Sequence, residues 1–91
     1  MPRVAIIGTG LIGASIGLAM RQRSKIKDLE LVGYDRDSAN AKRAQKIGAI
    51  DSTARSPREA VRDASMVVMA IPVLALRKIM AEIAPALDEG A

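Results

Sequence analysis

A glycine-rich hexapeptide between two segments of different character restricts what this chain can fold into. Residues 3–7 form a short apolar run that is typical of a strand buried on both faces, and residues 11–23 have the pattern of a helix. Between these segments stands Gly8-Thr9-Gly10-Leu11-Ile12-Gly13, a G-x-G-x-x-G motif. Such a turn aims free backbone N–H groups of the helix start at one point, where they bind anions. The sequence therefore predicts a phosphate-binding turn between a first strand and a first helix.

Residues 4–20 carry no charge, as would also be true of a signal-peptide core or a short membrane span. Gly8, Gly10, Gly13 and Gly17 argue against both, because each glycine costs about 1 kcal/mol relative to alanine inside a helix. Gly8-Thr9-Gly10 would also break a single helix in its middle. We therefore expect a cytoplasmic protein without a membrane role.

The next part of the chain continues the alternation of strand and helix. Residues 29–34 form a second strand candidate, and a helix that Asp37 or Ser38 caps should end at Gly48. Ala49-Ile50-Asp51 is a third, short strand candidate. The helix between the second and third strand candidates has apolar residues at helical spacing: Ala41, Ala44 and Ile47.

The last part of the chain carries two further helix signals and one strand signal. Ser56-Pro57-Arg58-Glu59 is a capping box with proline at the first helical position, which predicts a short helix. Residues 65–71 are uncharged and rich in β-branched side chains, so they predict a strand. After Pro72 an apolar stripe predicts a helix that Pro85 kinks or ends near Ala84. The stripe consists of Leu76, Ile79, Met80, Ile83 and Leu87, and we expect Met66, Met69 and Met80 to pack in the core.

Uncharged strands that alternate with amphipathic helices predict an α/β fold. The expected architecture is a Rossmann-type doubly wound parallel sheet with right-handed crossovers, truncated after about four strands. We interpret residues 1–91 as part of one dinucleotide-binding domain at the front of a longer protein. With no fifth strand, residues 66–71 are expected to form an unpaired edge of the sheet.

The glycines and one acidic residue together form a dinucleotide signature. Gly8 permits the tight turn, Gly10 lets the backbone approach a pyrophosphate, and Gly13 lets the helix pack closely. Asp35 follows at the expected distance of about 20 residues, where a carboxylate accepts hydrogen bonds from ribose hydroxyls. Its charge would repel a 2′-phosphate and favours NAD over NADP, although Arg36 could pair with such a phosphate. No lysine follows the motif as in a P-loop, which disfavours a mononucleotide site.

Ala70-Ile71-Pro72 should end the last strand at the same sheet edge as Gly8 and Asp35. Small and apolar residues there would let the backbone pass close to the dinucleotide, while Pro72 alone is equally explained as a helix start. The predicted cofactor-binding residues are therefore Gly8, Thr9, Gly10, Leu11, Ile12, Gly13, Asp35, Arg36, Ala70, Ile71 and Pro72.

The composition limits the chemistry that this chain can perform by itself. It has neither cysteine nor histidine, so the commonest general base, the commonest metal ligand and any thiolate are missing. We predict no catalytic residue and no metal site. Tyr34 is the single aromatic residue and the net charge is +4 from scattered basic residues, which disfavours nucleic-acid binding.

Three segments are more specific than the dinucleotide signature alone: residues 4–19 (VAIIGTGLIGASIGLA), 32–36 (VGYDR) and 66–73 (MVVMAIPV). Together they resemble the amino-terminal part of the prephenate/arogenate dehydrogenase family. Ser15 with the following Ile-Gly-Leu makes this resemblance more specific than a general dinucleotide-binding motif. The family often has an acidic residue where this chain has Ser65, which is a departure. The resemblance covers nearly all of the chain and about the first third of such an enzyme.

This resemblance implies an enzyme that oxidises prephenate with NAD⁺, releases CO₂ and gives 4-hydroxyphenylpyruvate in tyrosine biosynthesis; arogenate would give tyrosine directly. It also implies that the catalytic histidine, the substrate-binding arginines and a helical domain that forms a homodimer follow the residues present here. We therefore expect this chain alone to bind NAD weakly and to be inactive.

Two other interpretations stay open at this point. Hydroxy-acid dehydrogenases of the 6-phosphogluconate type and pyrroline-5-carboxylate reductases have a similar front end, although they usually differ after the third glycine and at Gly-Tyr-Asp-Arg. A non-catalytic dinucleotide-sensing module would also be short and would lack histidine.

Overall fold

The computed structural model describes residues 2–26 and 28–87, and this part of the chain contains one sheet of four parallel strands. The strands lie in the order β3-β2-β1-β4 and are β1 Arg3–Ile7, β2 Glu30–Tyr34, β3 Ser52–Thr53 and β4 Met66–Met69. The helices are α1 Leu11–Arg23, α2 Ser38–Lys46, α3 Pro57–Val61 and α4 Val73–Ile83, and a 3₁₀ turn over Ala84–Ala86 follows. The predicted α/β fold with a doubly wound parallel sheet is confirmed.

Alternating side chains of β1 divide the core between the two faces of the sheet. Val4 and Ile6 belong to one buried cluster, which α1 and α2 complete with residues such as Leu18 and Ala44. Ala5 and Ile7 belong to a second cluster with residues of α3 and α4 that include Val61 and Ile83. Because β1 is covered on both faces, all of its residues from Val4 to Ile7 are apolar and buried.

The order of the strands places a crevice at the carboxyl edge of the sheet. β1 pairs with β2 from Arg3↔Glu30 to Ile7↔Tyr34 and with β4 from Val4↔Met66 to Ile7↔Met69. The chain moves outward from β1 through β2 to β3 and then crosses to the other side of β1 for β4. Ligands of open α/β sheets bind outside such a reversal, which here lies between β1 and β4.

The third strand begins later than predicted. Ala49 and Ile50 are buried core residues, and the strand covers Ser52–Thr53 instead of residues 49–51. Asp51 explains the shift, because its carboxylate accepts a hydrogen bond from the Leu31 N–H at 2.7 Å and also pairs with the Arg21 guanidinium. The Asp51 side chain thus accepts a hydrogen bond from β2 that a backbone carbonyl of a longer β3 would otherwise accept.

Two predicted core residues are exposed instead, and so is one apolar residue of α2. Met66 is 52% exposed because β4 is an edge strand, and Met80 is 43% exposed on α4. Ile47 is 51% exposed because it forms the C-cap of α2. The predicted end of α4 before Pro85 is confirmed, since the helix stops at Ile83. No helix among the described residues is long and apolar enough to span a membrane.

Candidate functional site

A crevice of about 330 Å³ lies where β1, β2 and β4 end. Gly8 and Gly10 from the turn after β1 form one part of its wall, and Asp35 and Arg36 after β2 form another. Ala70-Ile71-Pro72 after β4 forms the opposite part. The fold therefore brings into one cavity seven residues that the sequence analysis selected from three separate segments.

Two of the three motif glycines are required by the turn itself. Gly8 has a φ of +95°, and a Cβ there would overlap the carbonyl oxygen of Ala70. A Cβ on Gly13 would overlap the carbonyl oxygen of Gly8. The predicted tight turn at Gly8 and close packing at Gly13 thus have a direct steric cause, and both hold β1, α1 and β4 together at the crevice.

Gly10 differs from these two glycines, because a Cβ at this position would meet nothing within 4 Å. Its φ of −69° is open to any residue, so neither the backbone nor the packing requires glycine. Gly10 is also the N-cap of α1 without a side-chain cap, and no acidic residue lies in the first turn. The open space lies directly at the positive end of a helix, as a bound diphosphate requires.

Asp35 lines the crevice and also forms hydrogen bonds with the glycine turn. Its Oδ2 accepts hydrogen bonds from the Thr9 backbone N–H at 2.7 Å and from the Thr9 hydroxyl at 3.3 Å. Its Oδ1 accepts the Asp37 N–H at 2.8 Å. A carboxylate has about four acceptor positions, and the Asn40 side-chain amide takes the fourth at 3.5 Å, so a ligand hydroxyl would bind Asp35 by replacing one of the two longest contacts, those from the Thr9 hydroxyl and from Asn40. The turn and the carboxylate are thereby fixed relative to each other.

Thr9 itself is 2% exposed and does not line the crevice. Its methyl group lies over Gly33, where a Cβ would come within 2.8 Å of Thr9 Cγ2. Gly33 thus belongs to the site indirectly, because it makes room for the residue that holds Asp35. The sequence analysis missed this role, since the only signal is a contact between two segments that are distant along the chain.

Leu11 and Ile12 are 87% and 70% exposed at the start of α1, and neither lines the crevice. Residues that the sequence analysis did not select complete the crevice wall: Ile7, Tyr34, Ala75 and Ile79. Ala75 and Ile79 are four residues apart on α4, so the helical spacing after Pro72 was the available signal. Within residues 2–26 and 28–87, no group of three or more His, Cys, Asp or Glu could hold a metal ion.

A second cavity of about 330 Å³ adjoins the crevice on the side of β3. The two cavities share Tyr34, Asp35 and Arg36 as a common wall. The rest of the second cavity is formed by α2 and by the end of β3 with the residues after it: Ser38, Ala41, Lys42, Thr53, Ala54 and Arg55.

Comparison with known proteins gives one consistent set of similarities. Residues 16–91 match the family model described as "Prephenate dehydrogenase, nucleotide-binding domain". The chain is 34% identical over 86 residues to the cyclohexadienyl dehydrogenase of Zymomonas mobilis, a match that covers 94% of this chain and 29% of the relative. It is 33% identical over 84 residues to the prephenate dehydrogenase of Lactococcus lactis, with 92% of this chain and 23% of the relative covered.

Solved structures give the same result for the fold. The prephenate dehydrogenase from A. aeolicus, solved in complex with hydroxyphenyl propionate and NAD⁺, matches all of this chain and 32% of that chain. Its TM-score is 0.87 and its sequence identity 26%. The Synechocystis arogenate dehydrogenase has a TM-score of 0.85 at 21% identity, with 98% of this chain and 30% of that chain covered. The chain thus spans less than a third of the length of these relatives.

Proposed function

The chain belongs to the prephenate dehydrogenase family, whose nucleotide-binding domain it matches, and from this membership we propose that it binds NAD in the crevice between β1 and β4. The observation that carries the proposal is the convergence of Gly8, Gly10, Asp35 and Ala70-Ile71-Pro72 on one cavity. These residues come from the ends of three parallel strands, at the sheet edge where dinucleotides bind in folds of this type.

Each wall of the crevice has a part in the proposed binding mode. The uncapped N–H groups at the start of α1 would donate to the diphosphate, and the open space at Gly10 would admit its oxygens. Asp35 would accept hydrogen bonds from the adenosine ribose hydroxyls. Ala70-Ile71-Pro72 would pack against the dinucleotide from the β4 side. Leu11, Ile12 and Thr9 would contribute through the backbone of the turn, because their side chains do not line the crevice.

The preference for NAD follows from Asp35. Its carboxylate lines the crevice, and each oxygen is oriented by one backbone N–H group. Two neighbouring hydroxyls would replace the two longer contacts, those from the Thr9 hydroxyl and the Asn40 amide. A phosphate on the 2′-oxygen would replace one of those donors by a negative charge. We therefore propose NAD as the main cofactor.

The activity of the whole protein is also a proposal, because the chain spans only 29% of the Zymomonas relative. We propose that the complete enzyme oxidises prephenate or arogenate, and that NAD, when bound, supplies the hydride acceptor for this oxidation and loss of CO₂. This chain has no histidine and would orient the cofactor, while the remaining length would carry the catalytic groups, the substrate site and a homodimer interface. The proposed location is the cytoplasm, where NAD is available to such an enzyme.

Calorimetric titration of the 91-residue chain with NAD⁺, NADP⁺ and AMP tests the binding half of this proposal. We expect NAD⁺ to bind more tightly than NADP⁺ and AMP, because only NAD⁺ fills the diphosphate position and leaves Asp35 with two hydroxyl donors. Chemical-shift changes at the N–H groups of residues 10–14 would place the dinucleotide at the start of α1. Titration without heat and without shifts at these residues would contradict the proposal.

A further inference from the structure

Within the described residues, the Asp35 carboxylate accepts two short and two long hydrogen bonds. Backbone N–H groups donate the short ones, from Thr9 to Oδ2 at 2.7 Å and from Asp37 to Oδ1 at 2.8 Å. Side chains donate the long ones, from the Thr9 hydroxyl to Oδ2 at 3.3 Å and from the Asn40 amide to Oδ1 at 3.5 Å. Strong hydrogen bonds measure roughly 2.5–3.0 Å from a hydroxyl and 2.7–3.2 Å from an N–H group, so both side-chain contacts are weak.

Packing fixes the direction of the Thr9 hydroxyl. Of residues 2–26 and 28–87, Thr9 is the one buried residue with a polar side chain, and it is 2% exposed. Its methyl group fills the space over Gly33, where a Cβ would come within 2.8 Å of Thr9 Cγ2. Because the χ1 angle of a β-branched side chain is stiff, a fixed methyl group also fixes the hydroxyl. The hydroxyl is thereby directed at Asp35, its one hydrogen-bond partner in the described part of the chain.

We infer that the Thr9 side chain limits the affinity of this chain for NAD, because its hydroxyl competes with a ribose hydroxyl for Asp35. The inference rests on the proposed function, in which the adenosine ribose binds Asp35. All of the roughly four acceptor positions of the carboxylate are filled, so a ribose hydroxyl binds only by displacing a donor. The two weak donors are on different oxygens, as are the partners that two neighbouring ribose hydroxyls would take.

The two displaced donors differ in what they lose. Asn40 is half-buried at the start of α2, so its amide can turn to water. The Thr9 hydroxyl is buried with a fixed rotamer, so it loses its partner and gains no water in exchange. A buried hydroxyl without a partner is costly, and this cost is subtracted from the free energy of NAD binding. Removal of the Thr9 hydroxyl should therefore strengthen NAD binding, although it removes a hydrogen bond from the site.

Two substitutions of Thr9 in the 91-residue chain separate the hydroxyl from the methyl group. Thr9→Val keeps the shape and the backbone N–H and removes the hydroxyl, whereas Thr9→Ser keeps the hydroxyl and removes the methyl group. Thr53→Val is the matched control, since Thr53 is exposed on β3 and no hydrogen bond joins it to Asp35 in the described part of the chain. Circular dichroism checks the fold, and Thr9→Ala, which also lacks the hydroxyl, replaces Thr9→Val if that variant unfolds.

Chemical-shift titration of each variant gives dissociation constants for NAD⁺, ADP and 2′,3′-dideoxy-ADP. Thr9→Val should bind NAD⁺ and ADP at least about threefold more tightly than the wild type, because no buried hydroxyl loses its partner. It should bind 2′,3′-dideoxy-ADP as the wild type does, since this probe has no hydroxyl that competes for Asp35. Thr53→Val should change each affinity by less than about twofold, because an exposed hydroxyl stays in water.

Thr9→Ser distinguishes competition by the hydroxyl from a structural effect of the side chain. It should unfold at a lower urea concentration than the wild type, because it loses a buried methyl group. Its affinity for NAD⁺ should stay within about twofold of the wild type, since the hydroxyl is kept.

Unchanged or weaker NAD⁺ binding by Thr9→Val would overturn this inference alone. An equal gain in Thr53→Val or with 2′,3′-dideoxy-ADP would overturn it as well, because the gain would then not depend on competition with ribose hydroxyls. Absence of NAD⁺ binding by the wild-type chain would instead overturn the proposed function on which the inference rests.

Discussion

Single residues in the turn after β1 serve different purposes although they belong to one motif. Gly8 and Gly13 are required by the fold, because a Cβ at either position overlaps backbone carbonyl oxygen. Gly10 is not required by the fold, because a Cβ there meets open space. The distinction separates stability from the proposed ligand binding at neighbouring positions, so substitutions can test each property by itself.

The first residue-scale prediction concerns Gly10→Asp. Aspartate is a preferred N-cap residue and its charge favours a helix N-terminus, so stability against urea should be equal to or above that of the wild type. The side chain would occupy the space of the diphosphate with a like charge, and NAD⁺ affinity should fall at least about tenfold. Gly13→Ala is the opposite control, since it should unfold the chain. Retained NAD⁺ affinity in Gly10→Asp would refute the assignment of the diphosphate to this position.

The second residue-scale prediction concerns Asp35→Ser. The loss of charge-assisted hydrogen bonds to the ribose should cost NAD⁺ about 1–3 kcal/mol of binding free energy, and NADP⁺ less, because its repulsion by the carboxylate disappears as well. Asp35→Asn is the matched control, since its amide oxygen can still accept the Thr9 N–H and keep the turn in place. Calorimetry with both cofactors decides, and an equal loss for NAD⁺ and NADP⁺ in the serine variant would refute the role of Asp35.

At the residue scale, the sequence indicated which residues come together in the candidate site better than it indicated the contacts of each side chain. Spacing to the strand ends placed Gly8, Asp35 and Pro72 at one edge, and the structure brings them to one cavity. Spacing did not indicate that Thr9 is buried against Asp35, nor that Lys42 and Arg55 line one cavity beside it. Contacts of the latter kind depend on how strands and helices pack, which local patterns do not encode.

At the scale of single elements, capping determines where the shorter helices begin. α3 has five residues, and its N-cap Ser56 accepts a hydrogen bond from the Glu59 N–H at 3.1 Å, as the capping box predicted. The Glu59 carboxylate lies toward Arg55, at 3.8 Å, so the structure records one half of the box. A helix this short is unstable in isolation and depends on its cap and on the buried Ala60 and Val61.

The element-scale prediction follows from that cap. Ser56→Ala should lower the free energy of unfolding by about 1 kcal/mol, because the Glu59 N–H loses its partner. Ser56→Asp should restore most of this stability, since aspartate also caps and its charge favours the helix N-terminus. Urea unfolding followed by circular dichroism measures both variants. Equal destabilisation by alanine and aspartate would show that Ser56 acts through something other than capping.

The predictions that the structure corrects have two physical causes, a side-chain hydrogen bond and the position of an element in the sheet. For β3, the apolar pattern indicated Ala49 and Ile50, which are buried. The strand begins only after these residues, because the Asp51 carboxylate accepts a hydrogen bond from the Leu31 N–H of β2. Met66 and Met80 have core-like side chains and are exposed because they lie on an edge strand and on an outer helix face. Whether an apolar residue is buried depends on where its strand or helix lies in the fold. That position follows from the strand order, which local sequence patterns do not give.

At the scale of the whole molecule, the alternation of strand and helix patterns was sufficient to predict the architecture. Each uncharged strand pattern followed by an amphipathic helix implies a crossover to a parallel strand. Such crossovers are almost always right-handed, which leaves few possible orders of the strands. The observed order β3-β2-β1-β4 leaves the outer side of β4 unpaired among the described residues. Beside it lies an apolar cavity of about 200 Å³, formed by Val67, Met69, Met80, Ile83 and Leu87.

The last prediction concerns this edge. An unpaired strand with exposed apolar side chains favours pairing with another chain, so the 91-residue protein should self-associate as its concentration rises. Met66→Lys places a charge on the edge and should shift the chain toward the monomer, because pairing would bring two such charges together. Ile26→Lys is the matched control, since Ile26 is 55% exposed and lies outside the sheet. Sedimentation velocity distinguishes the outcomes: a wild-type chain that stays monomeric, or equal effects of both lysines, would show that β4 is not the associating surface.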